Sequence, residues 1–370
     1  MNLKPLLLLL ASGSLAGVFF FMPGEAHSGG PAPISGHKVL APIRQGNLTV
    51  FPVVAAQSYD TAEFLTLDEG LRSGEVIVTE SGHLQPLMRR RTPTPSQGAQ
   101  VDQLVLVNNS NRPLILLAGE IVTGGKQDRV IGKDRIVPPE SDPIDLGVFC
   151  VEPGRWTGSS DRFGVATKAG GVGGVVQAPM AAPNVRSKAM ADKNQQMVWA
   201  EVGKTRTAMA ESVVVAAAPE LNATTSYARV MDNKQVREKV DSVAEPIQRN
   251  YQSLIHQLRD QNAVGVVVAV NGQMVWADIF ASTNLLEKYW PKLVRSYAAE
   301  AVVTKAQSRE ADVRQAQEFL NHMDGRHQTV DSEPGLYRHT EIAGDGFRAF
   351  ELTSLLPKTG FDLHVAKMAE

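Results

Sequence analysis

Two short stretches of this sequence carry residue types that can do chemistry together. In Leu117-Ala118-Gly119-Glu120-Ile121-Val122-Thr123-Gly124-Gly125-Lys126-Gln127-Asp128-Arg129, an apolar run delivers Glu120, and a paired-glycine turn then delivers Gln127 and Arg129. A second apolar run ends in Cys150-Val151-Glu152-Pro153-Gly154-Arg155-Trp156. A carboxylate can act as a general base, arginine forks a carboxylate or phosphate, and an indole face stacks planar ligands. Strand ends that gather such groups build a polar pocket with an aromatic wall. In that arrangement Glu120 is the candidate general base, Arg129 and Arg155 clamp an anion, and Gln127 orients the ligand through its amide. Glu152 joins the ligand-binding set, and Trp156 supplies the stacking wall. The same residues admit a structural reading, in which Glu120 with Arg129, or Glu152 with Arg155, braces two strands as an ion pair. Both readings stand at this level.

Other familiar signals fail on spacing. Gly119 to Lys126 is one residue too long for a phosphate-binding P-loop, and Gln127 stands where a metal-binding Ser or Thr is needed. Cys150 and Arg155 are one residue too close for a phosphatase loop, and Glu152 would repel the phosphate. Cys150 ends an apolar strand, the usual setting of a packed, inert thiol. It is the only cysteine, which excludes intrachain disulfides and cysteine-cluster metal sites. His322 and His327 lie five apart, wrong for one helical face, and no His-Glu-x-x-His occurs. The expectation is no metal and no cofactor.

The elements that must position these groups are strands in the first half. Leu48 to Val54, Glu75 to Thr79, Leu104 to Val107, Pro113 to Leu117 and Leu146 to Val151 are β-rich runs separated by turn residues. Short strands with tight turns favour antiparallel pairing. Thr66-Leu67-Asp68-Glu69 has the form of a capped helix start. Residues 158–196, with Gly170-Gly171-Val172-Gly173-Gly174, read as a long mobile loop. Helices follow over 207–217 and 228–261, the latter interrupted at Pro246. Ala263 to Val270 is a buried-type strand turning at Asn271-Gly272 into Met274 to Ile279. Helical patterns occupy 283–304, with a kink or restart at Pro291, and 309–323; strands return from Tyr337 to Met368. Strands at both ends with helices between predict one α+β unit, a mainly antiparallel β core with a helical layer from the middle of the chain.

Composition bounds the function. Of 370 residues 43% are hydrophobic and 21% charged, with 37 basic against 39 acidic side chains, so the chain is globular. A formal net charge of −2 gives no basic field for nucleic acid. Arg89-Arg90-Arg91 reads as a solvated loop. Lys4, the apolar stretch Leu6 to Met22 and Gly24-Glu25-Ala26 have the layout of a secretory signal peptide over residues 1–26. Residues 27–37 then form a flexible tether to a domain over 38–370. An exported protein, periplasmic or secreted, is expected, with no stable membrane insertion once the signal is cleaved.

Gly119-Glu120, Gly125-x-Gln127-x-Arg129, Val137-Pro138-Pro139 and Cys150-Val151-Glu152-x-Gly154-Arg155-Trp156 together resemble the ARPP domain family. That family is named for its association with ADP-ribosylglycohydrolases and rhodanese-phosphatase proteins. The similarity continues through Val185-Arg186, Gln196, Val198-Trp199, the Gly265 to Phe280 hairpin and the Leu286 to Ala301 helices, covering most of the chain as one domain. The resemblance implies a sugar-phosphate or ADP-ribose-like ligand, bound or acted on by hydrolysis or transfer. The alternative is a non-catalytic envelope protein that binds a partner or a surface glycan through the same β-rich face. No oligomeric state follows from the sequence.

Overall fold

Short β-runs separated by tight turns build the sheets of this protein. The computed structural model describes residues 36–80, 103–154, 163–164, 178–213, 218–258 and 261–370. All lie within one compact unit, Ala32–Glu370. The expected signal segment, most of the expected tether and the expected loop at Arg89–Arg91 lie outside the described residues.

In chain order the first strands are β1 (Lys38–Val39), β2 (Ile43–Gln45), β3 (Leu48–Ala55) and β4 (Leu65–Thr66). Helix α1 (Leu67–Ser73) starts at Thr66, whose hydroxyl accepts from the Glu69 amide while Glu69 accepts from the Thr66 amide. This is the reciprocal capping box that Thr66 and Glu69 encode. Strands β5 (Val76–Thr79), β6 (Gln103–Asn108), β7 (Leu114–Leu116), β8 (Ile121–Val122), β9 (Arg129–Ile131), β10 (Arg135–Val137) and β11 (Ile144–Cys150) complete the first half. They form a three-stranded sheet, β10-β7-β4, and a five-stranded sheet, β5-β6-β11-β9-β8. Leu65, Leu106, Leu116, Ile131, Val137 and Val148 share one buried cluster between them. All these pairings are antiparallel except β4 with β7.

The middle of the chain is helical: α2 (Pro183–Ser187), one wide π turn (Lys188–Asp192), α3 (Gln195–Ser212), α4 (Ala218–Ala223), α5 (Tyr227–Asp232) and α6 (Lys234–Gln257). The expected loop over 158–196 is therefore replaced by helix from Pro183 onward. Pro183 sits in the first helical turn, where its missing N–H costs nothing, and buried Arg186 anchors the segment to the sheet. Residues 165–177, with the glycine run, lie outside the described residues. Helix α6 runs through Pro246 without the expected break. Its buried stripe, Val236, Val240, Ala244, Ile247 and Tyr251, holds both halves on the same core.

Strands β12 (Asn262–Val270) and β13 (Gln273–Phe280) form the expected hairpin, with Asn271 and Gly272 both at positive φ, 52° and 74°. Helix α7 (Thr283–Val303) passes through Pro291, again without a restart, and α8 (Val313–Asn321) follows. The chain closes with β14 (Gly325–Glu333), β15 (Tyr337–Gly344), β16 (Phe347–Ser354) and β17 (Asp362–Ala369). The large sheet runs β1-β3-β12-β13-β17-β16-β15-β14, with β2 also on β3, and is antiparallel throughout. Helices α6 and α7 cover one face through Val266, Val268, Phe280, Leu286, Tyr289 and Leu293. Helix α8 covers the other through Val267, Ala277, Ile279, Ala316 and Leu320. The architecture is α+β, one domain with a mainly antiparallel core. Among the described residues no helix is long and apolar enough to cross a membrane.

Candidate functional site

Charged residues enter the core of this protein at several places, two of which adjoin at the turn Leu117–Glu120. On β13, alternation puts Trp276, Asp278 and Phe280 on the helix-covered face; on β17 the same face carries His364 beside Phe280. Asp278 Oδ2 accepts from Arg186 Nη1 at 2.9 Å and Oδ1 from Arg186 Nη2 at 3.1 Å, a two-pronged pair with no exposed side-chain surface. The Tyr297 hydroxyl of α7 also donates to Oδ2, and His364 Nε2 lies 3.0 Å from Oδ1. The other imidazole nitrogen, Nδ1, is 2.6 Å from Asp134 Oδ2, and Asp134 Oδ1 accepts the Ala118 amide at 2.7 Å. A relay therefore runs from Arg186 and Tyr297 through Asp278 and His364 to Asp134 and the backbone.

Its electrostatics are self-consistent. Burial alone would raise the Asp278 carboxyl, but Arg186 and His364 hold it far below the usual carboxylate range. Burial alone would neutralise His364; Asp134 and Asp278 overcome it and raise the imidazole to about 9. Near neutral pH the four charged members balance, two cations against two carboxylates.

The second cluster centres on Lys292 of α7. Its ammonium donates to Glu120 Oε1 at 2.5 Å and to Asp68 Oδ2 at 2.7 Å. Glu120 Oε2 accepts the Leu117 amide at 2.8 Å, and Asp68 Oδ1 accepts the Ala178 amide at 2.8 Å. Two carboxylates face one ammonium in a site closed to water, so burial pushes the Glu120 carboxyl up against the pull of Lys292, and Asp68 adds to the rise. Gly119, at φ 95°, joins the two clusters: a Cβ there would stand 2.6 Å from Arg186 Cγ. Only glycine leaves the guanidinium room to reach Asp278, with its Cζ 4.4 Å from the Trp276 ring centroid.

Of the residues singled out from the sequence, the fold brings Gln127, Arg129 and Glu152 together. Pairing of β9 with β11 sets Arg129 opposite Cys150. Gln127 Nε2 donates to the Glu152 carbonyl at 3.0 Å, and Glu152 Oε2 accepts the Asp128 amide at 3.2 Å. Asp128 in turn accepts from the Gly124 amide at 3.0 Å and the Ser226 hydroxyl at 2.6 Å. Gln127, Arg129 and Glu152 are all buried. Cys150 is buried in the same region, and burial pushes its thiol up, the setting of an unreactive cysteine. Glu120 belongs to the other cluster, and its partner is Lys292, not Arg129. Arg155 and Trp156 lie outside the described residues.

The profile of the ARPP-1 family, the ARG and Rhodanese-Phosphatase-superfamily-associated Protein domain, matches residues 36–366. The chain belongs to the ARPP-1 family. No curated protein and no solved structure matches it. The matched span contains both buried clusters, so in this ARPP-1 chain the ionic core is part of the family domain. None of Asp68, Asp134, Arg186, Asp278, Lys292, Tyr297 and His364 was a site candidate from the sequence; Asp68 entered only in a helix start and Arg186 only in the family resemblance. Their signal was present: Asp278 interrupts Met274-Val275-Trp276-Ala277-Asp278-Ile279-Phe280, and His364 stands between apolar Leu363 and Val365-Ala366. A charge inside a two-sided buried strand must find a partner. Among the described residues no group of three His, Cys, Asp or Glu side chains is arranged to hold a metal ion.

Proposed function

We propose that this ARPP-1 protein is an exported binding protein for a sugar-phosphate or ADP-ribose-like ligand, and that it does not turn the ligand over through Glu120. The observation that carries this reading is the enclosure of Glu120. Its side chain has no exposed surface, one oxygen is held by Lys292 and the other by the Leu117 amide. A general base must stand within about 3 Å of the proton it takes, directly or through one water. A carboxylate locked at both oxygens in a closed ionic cluster serves the fold instead. In this reading the ligand face is the turn 124–129, and what supports it is the Gln127 side-chain oxygen, which has no hydrogen-bond partner among the described residues. Export rests on the signal layout of residues 1–26.

The test is to express the full chain, recover it from outside the cytoplasm and titrate it calorimetrically with ADP-ribose and ribose phosphate. The recovered chain is expected to begin at His27, and to bind saturably without releasing product. Glu120→Gln is expected to lower the melting temperature markedly and leave affinity within about twofold, because the lost charge unbalances Lys292 and does not touch the ligand. Loss of turnover with unchanged melting would establish Glu120 as a catalytic base and overturn the binding reading.

A further inference from the structure

A cavity of about 350 Å³ lies between the end of α6 and the start of α7, remote in sequence from the turn 124–129. Tyr251, Gln252, Ile255 and His256 line it from α6; Leu286, Glu287, Trp290 and Pro291 line it from α7. That volume is at the small end of the range for small-molecule sites, roughly 300–1,000 Å³. Tyr251 and Trp290 form its floor, their rings 4.3 Å apart and tilted by 31°. Tyr251 is 1% and Trp290 3% exposed, yet among the described residues neither the Tyr251 hydroxyl nor the Trp290 indole N–H has a hydrogen-bond partner. Buried donors left unpaired at one place are uncommon, because each forfeits its water without recompense.

The cavity also holds acceptors. Pro291 has no N–H, so the helical bond to the carbonyl of Glu287 is missing there. The Glu287 carboxylate stands exposed at the rim, with exposed Gln252 and His256 across from it. Its negative charge acts on the floor: burial first, and then Glu287, push the Tyr251 phenol far up, so the hydroxyl stays a donor. Among the described residues the lining includes no Lys or Arg. A phosphate or carboxylate would meet Glu287 with no fixed cation to offset it. A neutral ring bearing several hydroxyls meets every feature: its oxygens accept from Tyr251 and Trp290, and its hydroxyls donate to Glu287 and Gln252. Its C–H faces pack on Leu286, Ile255 and Pro291.

We infer that the α6–α7 cleft is a binding site for a neutral saccharide of about monosaccharide size, such as the end group of a glycan, distinct from the phosphate-bearing ligand proposed for the turn 124–129.

The experiment titrates the full exported chain with glucose, N-acetylglucosamine and their β-linked dimers by calorimetry, in parallel with ribose phosphate. At least one neutral sugar is expected to bind in the millimolar range or tighter. Tyr251→Phe removes only the unpaired hydroxyl, so melting is expected to stay level or rise while sugar affinity falls roughly fivefold. Trp290→Phe provides the same readout from the second donor, and Glu287→Gln is expected to weaken the neutral sugar without affecting ribose phosphate. The inference is overturned if none of the neutral sugars binds, or if binding is undiminished in both Tyr251→Phe and Trp290→Phe. Ribose phosphate binding that depends on Tyr251 would overturn the neutral class. Failure of ribose phosphate alone bears only on the site at 124–129.

Discussion

Asp278→Asn is expected to destabilise the protein by about 3–5 kcal/mol, the cost of removing one member of a buried ion pair. The substitution keeps the volume but removes the charge that Arg186, Tyr297 and His364 all address. Arg186 would then remain wholly buried without its counter-ion, and the amide N–H₂ would face a donor. Equilibrium unfolding in urea measures the effect. The companion result is a smaller loss for Arg186→Met combined with Asp278→Leu, since two apolar groups bring no stranded charge into the core. A single-variant loss below about 1 kcal/mol would show that water or a backbone shift relieves the site, contrary to its complete enclosure.

Stability is also expected to fall steeply as the pH rises through neutrality. The His364 imidazole is raised from 6.5 to about 9 in the fold. The folded state therefore holds a proton that the open chain releases, so this contribution is complete below about pH 6.5 and gone by about pH 9. At about 1.4 kcal/mol for each unit, the span amounts to about 3 kcal/mol. Two buried carboxylates act in the same direction: burial raises Glu351 to about 8, with Asp362 adding to it, and Glu300 to about 7. Each stays protonated in the fold after it ionises in the unfolded chain, so stability declines from about 4.5 upward. Asp278 and Asp134, held low, contribute above about 3.8 and lose that contribution as acid protonates them. Lys367, lowered to about 8 by burial, opposes the decline only above that value. The melting temperature should therefore be highest on the acid side of neutrality and fall between about pH 6.5 and 8. Calorimetry across that window checks it. His364→Asn should flatten the profile, with the gap from wild type largest below about 6.5 and smallest near 9. A melting temperature that is level or rising over the window would show His364 to be neutral in the fold.

Local structure was written plainly in the residues. Thr66 with Glu69 specified the start of α1, Asn271-Gly272 specified the hairpin, and the resemblance carried by Gly119-Glu120 and Gln127-x-Arg129 led to the family. Where local rules misjudged the chain, packing had overruled them. Pro246 and Pro291 each remove one helical hydrogen bond, yet α6 and α7 continue because both flanks of each proline rest on the same sheet. Pro183 to Gln196 looked like loop until Arg186 found Asp278, 92 residues away.

The site divides along the same line. Sequence grouped Gln127, Arg129 and Glu152, and short antiparallel strands keep these three near one another. It could not give Glu120 its partner, since Lys292 arrives from a helix 172 residues further on. The sequence by itself determined the α+β class, the antiparallel hairpins and the helix caps, all governed by interactions between close neighbours. The tertiary structure alone decided which charges are buried together, and so which carboxylate braces which cation. Burial and ion pairing depend on groups that meet only when distant segments pack, and no spacing along the chain encodes that meeting.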